Sequence, residues 1–151
     1  RNFHSQIKND IPKGYRFCGE NLFAKHSIEY KNLESYFYLF SIWNDKNECL
    51  SWNETIEWAE LFEPKLTVVP VLYRGMWDEK IIKGLYKEYS DDGNMMEGYV
   101  VRLTSRFSYN QFSSSVAKYV SDNFKISTNH HWKFQKIVNN ELKKKKKKNE
   151  K

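Results

Sequence analysis

The sequence predicts an α+β domain, mostly antiparallel, with helices interspersed among its strands. Three observations predict it. Several short segments carry aromatic and β-branched residues in strand-like runs. Two others carry apolar residues at helical spacing behind a capping residue. Gly (6) and Pro (3) are few, which excludes collagen-like or linker sequence. Apolar residues are 40% and aromatics 17% of the 151 residues, enough to bury the core of one ordinary domain and to exclude wholesale disorder.

Residues 1–14 are polar, and Pro12 with Gly14 marks a turn. Tyr15 to Phe23 alternates, with Tyr15, Phe17, Gly19 and Asn21 on one face and Arg16, Cys18, Glu20 and Leu22 on the other, which reads as a strand. Tyr36 to Trp43 (Y-F-Y-L-F-S-I-W) is nearly continuous in β-favouring residues and predicts a strand buried on both faces. Asn44 to Asn47 is a turn cluster, followed by a short returning strand at Glu48 to Leu50. Ser51 and Glu54 form a capping box, opening a helix to about Phe62 that Pro64 ends. Ile56, Ala59 and Phe62 give it a face, and Trp52 and Trp58 read as packing residues.

Leu66 to Tyr73 is β-rich, but Pro70 restricts it to an edge strand or one that stops there. Asp78 caps a second helix with Ile82, Leu85, Tyr86 and Tyr89 on its apolar face, and Ser90 to Asn94 is a loop. Glu97 to Leu103 alternates as a strand. Val116 to Val120 is a last short strand with Lys118 at its centre. His130 to Leu142 predicts a helix running into the lysine tract.

The net charge is +6 and the pI near 9.2, which invites a nucleic-acid reading. Residues 143–151, with seven Lys and one Glu, account for all of that charge, leaving residues 1–142 neutral. Residues 1–142 therefore read as the domain and 143–151 as a disordered lysine-rich tail. Such a tail adds non-specific RNA affinity, resembles a nuclear-localisation patch, or carries no function. Cys18 and Cys49 are too few for a disulfide scaffold and fit a reducing compartment, so an intracellular place, cytoplasmic or nuclear, is expected. No apolar run approaches the roughly 18 residues of a membrane span. The opening R-N-F-H-S-Q is not a signal peptide, so no membrane partner is expected.

Glu20, Glu97 and Lys118 each lie in or beside a hydrophobic strand, where charge is costly. Pointing to water at a strand edge is the plain alternative for any one of them. Together they make a set that could hold a metal ion and a phosphate, since carboxylate oxygens suit Mg²⁺ and Lys gives phosphate a point charge. His4, His26, His130 and His131 lack zinc spacing with the two Cys. Ser113 to Ser115 has no G-x-S-x-G around it and is no nucleophile.

Four segments occur in a telling order: Phe17-Cys18-Gly19-Glu20, Tyr38-Leu39-Phe40-Ser41-Ile42, Glu97-Gly98-Tyr99-Val100-Val101-Arg102 and Ala117-Lys118-Tyr119. They resemble motifs III, IIIa, IV and V of the covalent nucleotidyltransferases: ATP-dependent RNA ligases, DNA ligases and mRNA-capping enzymes. The Lys25-His26-Ser27-Ile28-Glu29-Tyr30 and Val69-Pro70-Val71-Leu72 segments make the resemblance closest to RNA ligases, and it covers roughly Gly14 to Trp132. His131-Trp132 resembles a pair near the end of similar ligases.

The resemblance implies part of an adenylyltransferase domain that uses ATP and Mg²⁺ on RNA ends or a nicked duplex. It implies Glu20 at the nucleotide ribose, Phe40 stacked on adenine, and Glu97 with the metal at the α-phosphate. Lys118 falls on that phosphate and Arg102 at the nucleotide. In such ligases a lysine takes AMP from ATP, AMP passes to an RNA 5′-phosphate, and an RNA 3′-hydroxyl then displaces it.

The sequence departs from the pattern in three places. No K-x-D-G motif I lysine is present, so the chain is expected to start after its nucleophile and to be inactive alone. Val120 stands where a second motif V lysine is common, and Ser41 replaces an acidic residue common after the stacking aromatic. The rival expectation is a non-catalytic nucleic-acid-binding module that keeps the fold without the nucleophile. A DNA ligase or capping enzyme is a third, less favoured by the RNA-ligase-like segments.

Overall fold

A computed structural model of the chain describes residues 7–22, 24–25, 30–122, 138–140 and 142. The β-favouring runs become strands where they find a partner. β1 (Arg16–Asn21) is followed by β2 (Ala24–Lys25), β3 (Phe37–Trp43) and β4 (Glu48–Cys49), with the Asn44–Asn47 turn between the last two. Asn47 takes a left-handed φ of 58° there, which Asn tolerates better than most residues. β3 pairs antiparallel with β1 on one side. On its other side it pairs with β4 at Trp43↔Cys49 and, in parallel, with β5 (Thr67–Val68) at Tyr38↔Thr67 and Leu39↔Val68.

The helix α1 (Trp52–Leu61) begins at the expected capping box. Ser51 Oγ accepts from Glu54 N at 3.1 Å, and Ser51 N donates to Glu54 Oε1 at 3.1 Å. Such a cap is worth about 1 kcal/mol. The helix lays Thr55 and Ala59 on the sheet, with Phe62 just past its end. There Ile7, Leu39, Ile42, Leu50, Ala59, Phe62 and Leu66 form the core. A smaller cluster joins Trp43, Cys49 and Phe107.

Asp78 caps α2 (Glu79–Lys83), accepting from Ile81 N at 3.1 Å. β6 (Gly98–Arg102) leads to β7 (Phe107–Ser108), which closes the main sheet against β4. The serine run then turns through α3 (Phe112–Ser115) into β8 (Val116–Val120), which pairs antiparallel with β6 as a separate two-stranded ribbon. The fold is α+β with antiparallel sheets and few helices, as the sequence predicts; the β3–β5 pairing is its parallel exception.

Two expectations are corrected. β3 is not buried on both faces, because Phe40 is 44% exposed. Within the segment expected to be helical, β9 (Val138–Asn139) instead pairs antiparallel with β2. Its local pattern is weaker than the free backbone edge that β2 offers. Residues 130–137, the lysine tract and all four His lie outside the described residues. Among the described residues no helix is long and apolar enough to cross a membrane.

Candidate active site

Both strand carboxylates have a glycine neighbour, and the packing requires it. A Cβ on Gly19 would collide with the Phe37 ring and the Tyr38 carbonyl oxygen, and one on Gly98 with the Tyr119 carbonyl oxygen. Each Gly lets its strand approach the next closely, and each sets a Glu at that crossing.

Glu97 has Tyr30 for a neighbour. The Tyr30 hydroxyl donates to Glu97 Oε1. Burial first, then this bond and the Glu97 charge, then the charges of Glu20 and Asp92 push the phenol above its ordinary pKa. It stays protonated and keeps donating. Glu97, half-buried at the head of β6, holds this hydroxyl directly, whereas Glu20, exposed at the far end of β1, bears on it through charge alone.

Buried asparagines fix the backbone beneath it. Asn94 spans Lys31, accepting from its N–H at 2.6 Å and donating to its carbonyl at 2.6 Å. Asn140 Oδ1 accepts from Tyr30 N at 2.9 Å, and its Nδ2 donates to Leu22 O at 2.7 Å. Asp92 in turn braces Asn94, accepting from its N–H at 3.1 Å. Burial works to raise the Asp92 carboxyl, but hydrogen bonds from Ser90 and Asn94 outweigh it and lower the pKa.

Phe40 owes its exposure to an irregularity. Cys18 pairs with Ser41 but Gly19 with Leu39, so Phe40 is an extra residue on β3. Such a bulge re-aims a side chain. Leu39 and Ser41 are both buried while the ring between them is open to solvent.

Residues 1–120 match the family model described as RNA ligase, well over half of the chain. The chain belongs to the RNA ligase family. The match takes in β1 through β8, and with them Glu20, Phe40, Glu97, Arg102 and Lys118. No curated protein and no solved structure matches the chain.

The RNA ligase domain does not gather all five residues. In the β6–β8 ladder Val100 pairs with Lys118, and Tyr99 with Tyr119. The Ser121 N–H bond to Glu97 O at 2.8 Å continues that ladder. Alternation then puts Lys118 on the face of Val100 and Arg102, opposite the face of Glu97 and Tyr99. Lys118 is exposed, with no ion pair among the described residues.

Arg102, expected at the nucleotide, is engaged within the protein. Its guanidinium donates from NH2 to Leu50 O at 2.9 Å, from Nε to Leu103 O at 2.8 Å and from NH1 to Cys49 Sγ at 3.4 Å. It also lies 5.9 Å from the Trp52 ring centre and 5.2 Å from that of Phe107. Such packing makes Arg102 a pin between β6 and the main sheet. Cys49 beside it is a free thiol whose pKa burial raises against the lowering pull of Arg102, so it is no reactive nucleophile.

Sequence reasoning quoted Tyr30 only within its motif and passed over Asn94 and Asn140. Asn94 closes a polar turn and carries no local sign of its long-range bonds. Asn140 lies in the segment expected to be helical.

Proposed function

We propose that this chain is the nucleotide-handling part, motifs III to V, of an ATP-dependent RNA ligase that joins RNA 5′-phosphate and 3′-hydroxyl ends. Residues 1–142 are its domain and 143–151 a tail. The observation that carries the reading is the RNA ligase family match over residues 1–120, which spans Glu20, Phe40, Glu97 and Lys118. The bond from the Tyr30 hydroxyl to Glu97, with the Glu20 charge bearing on the same phenol, supports it. In this reading Glu20 contacts the ribose and Phe40, open beside β1, stacks on adenine.

Among the described residues no cluster of three or more His, Cys, Asp or Glu forms a ready-made metal cage. Mg²⁺ needs none, because it takes one or two carboxylates and completes its shell with phosphate oxygens and water. Glu97 fits that need: it is half-buried, has Oε1 braced by Tyr30, and has no Lys or Arg partner among the described residues. When bound, Mg²⁺ would supply Lewis-acid stabilisation of charge on the transferring phosphoryl group. In this reading Lys118, exposed on the ribbon's other face from Glu97, offers a phosphate its point charge.

With labelled ATP and Mg²⁺ the 151-residue chain is expected to form no covalent adenylate, since neither Lys25 nor Lys118 stands in a K-x-D-G context. Joined behind a segment carrying that lysine, it should be labelled, and Glu97→Ala should abolish the label. Acid-stable labelling of the chain itself would overturn this division of roles. A joined protein that binds RNA but never takes label would instead favour the non-catalytic module.

A further inference from the structure

The segment after β8 that returns to the site lies outside the family match, yet one of its side chains is among the most buried polar groups of the described residues. Asn140 is 3% exposed. β9 brings it in by pairing with β2 at Ala24↔Asn139 and Lys25↔Val138. A parallel bridge between Leu33 and Leu142 fixes the chain just beyond. The Asn140 carbonyl also accepts from the Tyr36 hydroxyl at 3.0 Å.

We propose that Asn140 is a positioning residue of the ligase site, holding Tyr30 where its hydroxyl reaches Glu97. One amide has an acceptor oxygen and a donor nitrogen on the same short stem. Asn140 spends the oxygen on Tyr30 N and the nitrogen on Leu22 O. Leu22 lies two residues beyond Glu20, and Tyr30 carries the bond to Glu97. A single side chain therefore ties the backbone just beyond Glu20 to the backbone that carries the Tyr30 hydroxyl to Glu97. Asn140→Asp would keep the acceptor and lose the donor, leaving Leu22 O facing a carboxylate. Asn140→Leu would orphan both backbone groups inside the protein, where an unmade hydrogen bond is expensive. The inference rests on the ligase reading only in naming Glu97 as the group positioned.

The test uses the full chain, labelled with ¹³Cζ-tyrosine and titrated with Mn²⁺ alone; the Tyr30 resonance is assigned by its loss in Tyr30→Phe. In the unaltered chain Mn²⁺ should broaden Tyr30 selectively. Asn140→Asp should remove that selectivity and weaken Mn²⁺ about tenfold, the low end for lost outer-shell support of a ligand. A folded Asn140→Asp chain with an unchanged titration would overturn the proposal. Amide exchange of the unaltered chain gives a second reading that needs no variant. The Tyr30 N–H should exchange as slowly as the amides of β3, and exchange at the rate of an exposed turn would overturn the proposal even if Asn140→Asp fails to fold. Glu97→Gln separates the two readings. Undiminished Mn²⁺ broadening of Tyr30 in that variant removes Glu97 from the metal, whereas slow exchange at Tyr30 supports Asn140 on its own.

Discussion

Around α1 and the main sheet, Leu39, Ile42, Leu50, Ala59 and Leu66 are all within 1% exposure, whereas along the β6–β8 ribbon Val100 is 61% exposed and Tyr119 44%. The sheet has an apolar core of its own. The ribbon is held by its ladder, by a ring contact of Tyr119 with Tyr86 and Tyr99 at 5.6 and 5.2 Å, and by polar ties to its neighbours. One tie is the Arg102 pin; another is the Trp52 N–H bond to Thr104 O at 2.9 Å. The Tyr30 hydroxyl bonds Glu97 at the ribbon's head, and the charge of Glu20 on the sheet bears on the same phenol. The difference teaches that the site is a joint between a stable body and a weakly packed arm, and that its geometry depends on polar ties more than on apolar burial.

The largest expected effect falls in the sheet. Leu39→Ala should cost about 2–5 kcal/mol in urea unfolding, as buried Leu truncations do. Val100→Ala on the ribbon should stay within about 0.5 kcal/mol, the range of exposed positions. Equal losses at the two would erase the contrast.

Gly98→Ala attacks the arm alone. Its Cβ has nowhere to go but the Tyr119 carbonyl, so β6 and β8 should part. Amide exchange should accelerate over residues 98–102 and 116–120 while β1 and β3 keep their protection. Loss of protection throughout would show that the sheet depends on the ribbon.

Arg102 separates structure from chemistry. Arg102→Ala leaves Leu50 O and Leu103 O without their partner and should cost about 1–3 kcal/mol. ATP affinity of the folded variant should not change. A selective loss of ATP affinity with unchanged stability would return Arg102 to the nucleotide.

The features legible in the sequence were those set by near neighbours. The Ser51–Glu54 box and the Asp78 cap follow from residues three apart, and both formed as expected. The strands containing Glu20 and Lys118, and the one that begins just after Glu97, were legible from their alternation, with the strand of Lys118 reproduced end to end as Val116–Val120. What stayed hidden depends on partners far along the chain. The exposure of Phe40 arises from a register shift against β1, which a run of aromatics cannot reveal. The fate of Arg102 is decided by Leu50 and Trp52 on another element. The strand at Val138–Asn139 exists because β2 meets it. Motif order located the candidate carboxylates, and only the fold added Tyr30, Asn94 and Asn140 around them.

The smallest expected effect is a surface one in the sheet half. The Arg106 guanidinium bonds the Glu54 carboxylate and, with the Ser51 cap, holds its pKa at about 2 against an ordinary 4.5. A folded pKa below the unfolded one adds stability above about pH 4.5, which is lost as pH falls toward 2. Both side chains are more than a third exposed, so the contribution should be under about 1 kcal/mol. Acid unfolding of Arg106→Ala should lack that part of the pH dependence, while the ribbon's exchange rates should not respond.

Equilibrium binding of ATP in the presence of Mg²⁺ tests most directly whether this joint is a nucleotide site. The dissociation constant should be measured for the unaltered chain, Phe40→Ala, Glu97→Gln and the exposed control Ile81→Ala. Base stacking on an aromatic is worth about 1–3 kcal/mol, so Phe40→Ala should weaken binding about tenfold or more. Glu97→Gln should weaken it as well and should remove its dependence on Mg²⁺, with Ile81→Ala unchanged. Four equal constants, or a loss shared by Ile81→Ala, would contradict the assignment of Glu20, Phe40 and Glu97 to a ligase nucleotide site.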